Sequence, residues 1–361
     1  MAQFTPMWGG HNRENCCRHA TACYAKCRMA YPDPFRALII DNVNGAVQAT
    51  IKELPVNSLP EGDILVSVTY SSLNYKDALA VTNRGKIVHC FPMVSGIDFS
   101  GTVAESKSDL FKPGDPVVLT GWGVGKEHWG GFAQLARVKS EWLLPLPRGL
   151  TLKRAMQIGT AGLTAMFCVM ALEEHGVRPD KGEIVVTGAT GGVGCIAVIL
   201  LARLGYKVVA STGKADAHEF LKSLGAHEVI DRSQLAARSD KPLERGRWAG
   251  AVDSVSGETL AALLRQMKRE GCVTAVGLAG GTELHATVYP FILRAVSLVG
   301  ISSVYMATER RRTAWTRLAG ELPMETLDRL TQTARLANVP ALGEQMIDGK
   351  IRGRVVIDVN A

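Results

Sequence analysis

Glu183-Ile-Val-Val-Thr-Gly-Ala-Thr-Gly-Gly-Val-Gly194 runs straight into Cys195-Ile-Ala-Val-Ile-Leu-Leu-Ala-Arg-Leu204. Ile184 to Thr187 is a short β-branched run, as expected of a parallel strand buried on both faces. Glycines at 188, 191, 192 and 194 then let the backbone turn sharply and come close to a bound group. The apolar stretch that follows reads as a helix. Unpaired N–H groups at its start, reinforced by the helix dipole, suit a pyrophosphate. A dinucleotide site requires this strand, turn and helix in this order. The bland alternative is a glycine-rich connection with no ligand.

A second buried strand, Lys207-Val-Val-Ala210, follows after a short break. In NAD-selective sites a carboxylate near its end takes the ribose 2′-OH. Here the end reads Ser211-Thr212-Gly213-Lys214, without an acid. Hydroxyls and a lysine suit a 2′-phosphate, so the sequence favours NADPH over NADH. The bland alternative is that Lys214 is a solvated lysine at a helix start.

The chain has 361 residues, enough for two domains. Its 47% hydrophobic content indicates a globular protein with substantial cores. No apolar run reads as long enough to span a bilayer. Lys and Arg outnumber Asp and Glu by 41 to 34, a formal charge of +7 that favours polyanionic ligands such as NADPH or CoA esters. The basic residues are spread out and lack interleaved aromatics, which argues against a nucleic-acid interface. Cys90, Cys168, Cys195 and Cys272 have apolar neighbours and read as buried thiols in a reducing compartment. Cys16, Cys17, Cys23 and Cys27 crowd together with His11 and His19, but the spacing follows no standard zinc pattern.

Residues 1–34 lack the apolar core of a secretory signal and are expected to be a poorly ordered N-terminal extension. An organelle-targeting peptide and an upstream start, with Met7 or Met29 as the true beginning, both remain open. From Phe35 the pattern turns to short strands: Phe35 to Ile40, an Asn44-Gly45 hairpin turn, Ile64 to Tyr70, Ile97 to Val103 and Pro116 to Thr120. With Pro/Gly turns between them, they suggest a small β-barrel. Ala155 to Gly159 and Leu163 to Glu174 read as helical. After the glycine-rich unit, strands at 228–230, 249–253, 271–277 and 297–301 alternate with helices at 217–224, 259–268 and 290–294. That alternation gives a doubly wound parallel sheet. The tail from Arg310 reads as two amphipathic helices and a last strand, Gly353 to Asp358.

Several words narrow the reading. Ser71-Ser-Leu-Asn-Tyr-Lys-Asp77, Pro92-Met-Val-Ser-Gly-Ile-Asp-Phe-Ser-Gly101, Leu119-Thr-Gly-Trp-Gly-Val-Gly125, His128-Trp-Gly-Gly131, Ile158-Gly-Thr-Ala-Gly162, Gly277-Leu-Ala-Gly-Gly281 and Pro290-Phe-Ile-Leu-Arg294 occur in this order. From about residue 35 to the end the chain resembles the medium-chain dehydrogenase/reductase superfamily. Within it, the chain resembles the zinc-free, quinone oxidoreductase-like branch of NADPH-dependent acryloyl-CoA reductases. The resemblance implies an α/β protein with a GroES-like β-barrel catalytic domain, residues 35–154 plus 302–361, and a Rossmann NADPH-binding domain, residues 155–301. Two features depart from the pattern: the N-terminal extension, and Lys214 where an arginine is usual. Lysine keeps the charge but lacks the flat guanidinium fork. Zinc relatives carry Gly-His-Glu where this chain has Gly96-Ile97-Asp98, so no metal is expected.

Without zinc, reducing an activated C=C bond is easier than oxidising an alcohol. The site must place a hydride donor, stabilise an enolate oxygen and deliver a proton. The resemblance puts Tyr75 against the cofactor and the substrate pocket, where its phenol could serve the enolate or relay a proton. An ordinary core tyrosine is the alternative. Asp77 could simply cap the helix after it. Asp98 sits between apolar residues and needs a partner. Arg354 is the candidate, as a pair that either orders the pocket or is purely structural. Thr190, Gly191, Gly192 and Val193 are expected on the pyrophosphate, Thr212, Gly213 and Lys214 on the 2′-phosphate, and Gly277 and Leu278 beside the nicotinamide ribose. Arg84 and Lys86 are candidates for the CoA phosphates, and Arg310-Arg-Arg312 reads as a solvated run.

The expected activity is NADPH-dependent reduction of acryloyl-CoA, or a similar small 2-enoyl-CoA. The alternatives are an NADPH:quinone oxidoreductase and a non-catalytic NADPH- or nucleic-acid-binding protein. A cytoplasmic homodimer is expected, with Ser297 to Ser303 as a candidate interface strand, and with no nucleic-acid or membrane partner.

Overall fold

The computed structural model describes residues 31–236 and 239–361. The cysteine-rich stretch at 16–27 and the expected disorder of the extension lie outside these residues, except for its last few positions. There Tyr31 already donates to Glu105 of the barrel at 2.7 Å.

Two β units share one helical spine. The first opens with β1 (Phe35–Val43) and β2 (Ala46–Leu54), joined at Asn44 and Gly45. Both turn residues have positive φ, 53° and 84°, as a two-residue hairpin turn requires. With β4 (Met93–Val94) they make a three-stranded sheet ordered β2-β1-β4. The larger barrel sheet contains β3 (Ile64–Leu73), β5 (Asp98–Ser106), β6 (Pro116–Thr120), β7 (Leu135–Val138) and β8 (Leu144–Pro145). Two C-terminal strands, β15 (Thr331–Arg335) and β16 (Arg354–Asp358), complete it in the order β15-β16-β3-β5-β6-β8, with β7 also paired to β3. Helix α1 (Tyr75–Val81) follows β3 directly.

The second unit is a six-stranded parallel sheet. Its strands are β9 (Glu183–Val186), β10 (Lys207–Thr212), β11 (Glu228–Asp231), β12 (Trp248–Asp253), β13 (Met267–Ala275) and β14 (Ser297–Gly300). They lie in the order β11-β10-β9-β12-β13-β14. The chain leaves β9 toward β10 on one side and later returns to β12 on the other. The crevice beyond the end of β9 is therefore the switch point where such sheets bind ligands.

The spine is α2 (Leu152–Glu174), which packs on α3 (Gly192–Arg203) and on barrel strands β3 and β5. At 23 residues, with a mean hydropathy of 1.6 in its most apolar window, α2 is long and apolar enough to cross a membrane by length and composition, contrary to the sequence reading. It is a core helix here, since 94% of its most apolar window is buried. Strand β16 serves both cores by alternation. Val356 joins the cluster around Phe167 and Ile196, while Val355 and Ile357 join the barrel cluster around Phe99 and Phe132.

Three other expectations are corrected. The tail contains three helices, Thr308–Glu321, Met324–Arg329 and Val339–Ile347, and strand β15, whose polar Thr-Gln-Thr-Ala-Arg sequence has no apolar alternation to reveal it. Cys90 is exposed, while Cys168, Cys195 and Cys272 are buried, with thiols pushed up to about 12 by burial. Arg311, in the middle of the supposed solvated run, is 1% exposed. It donates to the carbonyls of Met306, Thr120, Ser303 and Val304 and stacks on Trp122 with its guanidinium carbon 4.9 Å from the ring centre. No carboxylate among the described residues offsets its burial, which lowers its pKa to about 10.

Candidate active site

The glycine-rich turn forms as the sequence predicts. Gly188 has φ +57°, a left-handed conformation that favours glycine. Gly194 lets α3 approach the turn, since a Cβ there would lie 2.4 Å from the Gly188 oxygen. Gly191 is the N-cap of α3, and no side chain caps the helix. The first i−4 bond runs from Cys195 N–H to Gly191 O at 2.9 Å. The preceding N–H groups of Gly192, Val193 and Gly194 are thus left for a ligand at the positive end of the helix. These features fit a dinucleotide pyrophosphate.

Across the switch point, Thr187 Oγ1 donates to Asp253 at 2.6 Å. Asp253 also accepts the N–H groups of Val255 and Ser256, at 3.3 and 2.9 Å. This pair fixes the loop after β12 against the glycine-rich turn. Burial raises the Asp253 carboxyl above its usual range, and the Thr187 bond only partly offsets that. Sequence reading missed both residues, although an acid ending an apolar strand was a usable signal. Gly277 packs against Ser254, where a Cβ would meet the Ser254 oxygen at 2.4 Å, and Leu278 beside it is exposed. Thr212, Gly213 and Lys214 sit at the end of β10, with Thr212 Oγ1 accepting the Lys214 N–H at 3.2 Å.

The barrel meets this turn through a buried polar junction. Asp98 begins β5 and is 0% exposed. It accepts the Ser72 N–H at 3.1 Å, the Asn74 amide at 3.0 Å and the Thr160 N–H at 2.8 Å. Ser72 Oγ lies 2.8 Å from both carboxylate oxygens. Arg354, 2% exposed, donates to the same Ser72 hydroxyl at 2.8 Å, to Asn74 Oδ1 at 3.3 Å and to the Gln157 carbonyl at 2.9 Å. The expected Asp98–Arg354 pairing is therefore corrected in detail. The two charges share one buried cluster but are bridged by the Ser72 hydroxyl. Both side chains are enclosed by protein groups. Burial lowers the pKa of Arg354, and the nearby Asp98 opposes that shift.

The same junction explains a break in α2. Gly159 has φ 52° and ψ −159° inside the helix. A Cβ there would lie 2.7 Å from both Arg354 Nη2 and Ser72 Oγ and 2.9 Å from Asp98 Oδ2. The helix restarts at Thr160, whose N–H is capped by Asp98. The sequence had suggested two helical stretches here, and the glycine between them is the space the charges need.

Tyr75 is the first residue of α1. It is 44% exposed and its hydroxyl has no hydrogen bond among the described residues, so it is not an ordinary core tyrosine. Its neighbour Asn74 bonds Arg354, and Arg354 Nη1 lies under the glycine-rich turn, 3.0 Å from where a Gly192 Cβ would stand. Gly353 N–H also donates to the Thr190 carbonyl at 3.1 Å. Tyr75 therefore stands one residue from a chain of contacts that reaches the pyrophosphate turn.

Asp77 is fully buried behind Tyr75. It accepts the Asn74 N–H at 3.0 Å, as a helix-start acid does, and the Ile97 N–H at 2.9 Å, which the capping reading did not foresee. Burial, and secondly the Asp98 charge, raise its pKa to about 7. Lys76 is half-buried and its pKa is lowered by burial. Arg84, the candidate for the CoA phosphates, is half-exposed and pairs with Glu344 at 2.6 Å and Asp348 at 3.1 Å.

Among the described residues, no three His, Cys, Asp or Glu side chains gather to hold a metal ion. Ile97 is buried and apolar, and Asp98 is already saturated with donors. The donor set does not fit zinc.

Comparison with known proteins agrees with this architecture. Residues 60–148 match the alcohol dehydrogenase GroES-like domain, and residues 192–320 match the zinc-binding dehydrogenase family. The chain is 49% identical over 329 residues to the acrylyl-CoA reductase AcuI of Ruegeria pomeroyi, covering 91% of this chain and 100% of that one. The structure of Escherichia coli K-12 YhdH with bound NADPH is similar, with a TM-score of 0.88, 52% identity and coverage of 90% and 100%. Bacillus subtilis yhfP, solved with NAD bound, also has a TM-score of 0.88, at 42% identity, with coverage of 91% and 100%.

Proposed function

This chain belongs to the medium-chain dehydrogenase/reductase superfamily, close to the acrylyl-CoA reductases, and from that premise we propose an NADPH-dependent, zinc-independent reductase of acryloyl-CoA or a similarly small 2-enoyl-CoA. The observation that carries the reading is the exposed, unpaired Tyr75 phenol, coupled through Asn74 and Arg354 to the pyrophosphate turn.

NADPH, when bound, supplies a hydride to the β-carbon of the enoyl thioester. Charge then develops on the thioester oxygen, and the α-carbon must take a proton. The first-turn N–H groups of Gly192, Val193 and Gly194 hold the pyrophosphate, helped by Thr190 and Gly191. Thr212, Gly213 and Lys214 receive the 2′-phosphate, and Gly277 and Leu278 flank the nicotinamide ribose. Tyr75 donates to the enolate oxygen or relays the proton. Asp98 and Arg354 are positioning residues that hold α1, α2 and the glycine-rich turn in register.

The decisive experiment compares NADPH oxidation with acryloyl-CoA and with a simple quinone, using NADH as control. Saturable turnover with acryloyl-CoA and little with quinone supports the reading. Turnover with quinone alone moves the function to the quinone oxidoreductases.

We also propose a cytoplasmic homodimer. Strand β14 is an edge of the parallel sheet, and Val288, Ile292 and Leu293 in the segment that precedes it are exposed. An uncovered edge flanked by apolar side chains is normally paired. A monomer at micromolar concentration in sedimentation would refute the dimer. The free thiols of Cys90, Cys168, Cys195 and Cys272 suit a reducing compartment.

A further inference from the structure

Lys76 is the second residue of α1, directly after Tyr75. It is half-buried, and its side chain makes no hydrogen bond or ion pair among the described residues. That is a costly place for a lysine. An ammonium is strongly hydrated, and its flexible stem normally carries it out to water or to a carboxylate. Here burial is the largest influence on its pKa and lowers it, so the charge is poorly solvated where it stands.

The charged groups around it do not relieve that cost. Asp77, next along the helix, turns its carboxyl to the N–H groups of Asn74 and Ile97. The Ile97 carbonyl in turn accepts the Gly121 N–H at 3.2 Å, which seats the loop 121–128 beside α1. That loop brings Lys126 and Glu127 near Lys76. Lys126 repels it, and Glu127 is held by Lys126 at 2.9 Å and by the Tyr305 hydroxyl at 3.0 Å. The tail helix Val339–Ile347 also packs on α1, but its Glu344 pairs with Arg84. Asp98 and Arg354 are spent within the buried junction. Two unpaired polar groups, the Tyr75 phenol and the Lys76 ammonium, therefore stand on consecutive residues. Polar groups left so at the rim of a site are characteristically completed by a ligand.

We propose that Lys76 is a catalytic residue whose ammonium meets the thioester carbonyl and stabilises the enolate oxygen, leaving Tyr75 to deliver the proton. This rests on the enoyl-CoA reductase reading above and deepens it. As hydride reaches the β-carbon, the C=C electron pair moves toward the carbonyl and its oxygen becomes negative. A fixed cation with no counterion of its own acts most strongly on charge that appears only in the transition state. The new C–H bond at the α-carbon forms as the Tyr75 O–H bond breaks. The phenolate regains a proton from water, to which Tyr75 is 44% exposed. Lys76 keeps its protons throughout.

The test is steady-state reduction of acryloyl-CoA by wild type, Lys76→Met, Lys76→Gln and Lys76→Arg, with NADPH affinity measured by calorimetry and Tm by a thermal scan. The two chargeless variants should lower kcat about 100- to 1,000-fold, as loss of an oxyanion donor does, with KM, NADPH affinity and Tm unchanged. Lys76→Arg, which keeps the charge, should recover part of the loss. A kcat near that of wild type in either chargeless variant overturns the proposal. So does a rise in KM alone, which would put the ammonium on a phosphate of the CoA handle. A loss of NADPH affinity or a fall in Tm that accompanies the loss of kcat also overturns it, as does an arginine variant no faster than the chargeless ones. All of these leave the enoyl-CoA reading intact. Wild type that turns over quinone and not acryloyl-CoA would sink that reading, and the role of Lys76 with it.

Discussion

Gly159→Ala tests the buried junction most sharply. Two costs follow from the geometry. The first is the backbone: φ 52° with ψ −159° is a region open to glycine and strained for alanine, at about 1–3 kcal/mol. The second is the new methyl, which would sit 2.7 Å from Arg354 Nη2 and Ser72 Oγ. Moving either breaks a buried, charge-assisted hydrogen bond worth about 1.5–3 kcal/mol. The sum is about 2.5–6 kcal/mol. In a protein of this size each kcal/mol lowers Tm by roughly 2 °C, so a thermal scan should show a fall of about 5–12 °C. NADPH binding should weaken too, because Arg354 supports the turn at Gly192. A variant that melts within a degree or two of wild type would mean that the glycine is not holding space for the charges, and the junction argument would fail.

The remaining expectations are briefer. Asp77 has its carboxyl raised to about 7, so the folded state binds a proton that the unfolded state releases between about pH 4 and 7, and stability falls as pH rises through that window. Relative to Asp77→Asn, the wild type should lose about 2–3 kcal/mol between about pH 5 and 8 in urea titrations; parallel pH profiles would exclude this. Tyr75→Phe should lower kcat about a hundredfold with NADPH binding unchanged, and an unaltered kcat would remove Tyr75 from the chemistry. Arg311→Met should destabilise the protein by about 3 kcal/mol, because buried carbonyls lose their charged donor. It should also speed amide exchange at Trp122, whose N–H donates to Val304 O at 2.9 Å; unchanged exchange would mean that Arg311 does not anchor that loop.

Much of this protein is written locally. The Asn44-Gly45 turn, the β-branched strand before Gly188 and the glycines after it constrain their own φ and ψ, and these signals are legible without a partner. The alternation of strands and helices from 183 to 301 likewise implies a doubly wound sheet, and with it a crevice at the end of β9. The word Ser71 to Asp77 pointed to the segment that carries Tyr75, and the lone acid in Ile97-Asp98-Phe99 announced that it needed partners.

Which partners it found was decided by the folded chain. Asp98, Ser72, Asn74 and Arg354 meet only when β16 pairs with β3 and α2 breaks at Gly159, and the Arg354–Asn74 bond spans 280 residues. Arg311 looked like one of three solvated arginines until the Ser303–Met306 loop enclosed it. Dihedral preference and hydrophobic period are properties of neighbouring residues, so sequence determined the elements and their order. The solvation of a charge depends on every group packed around it, and only tertiary structure brings those groups together.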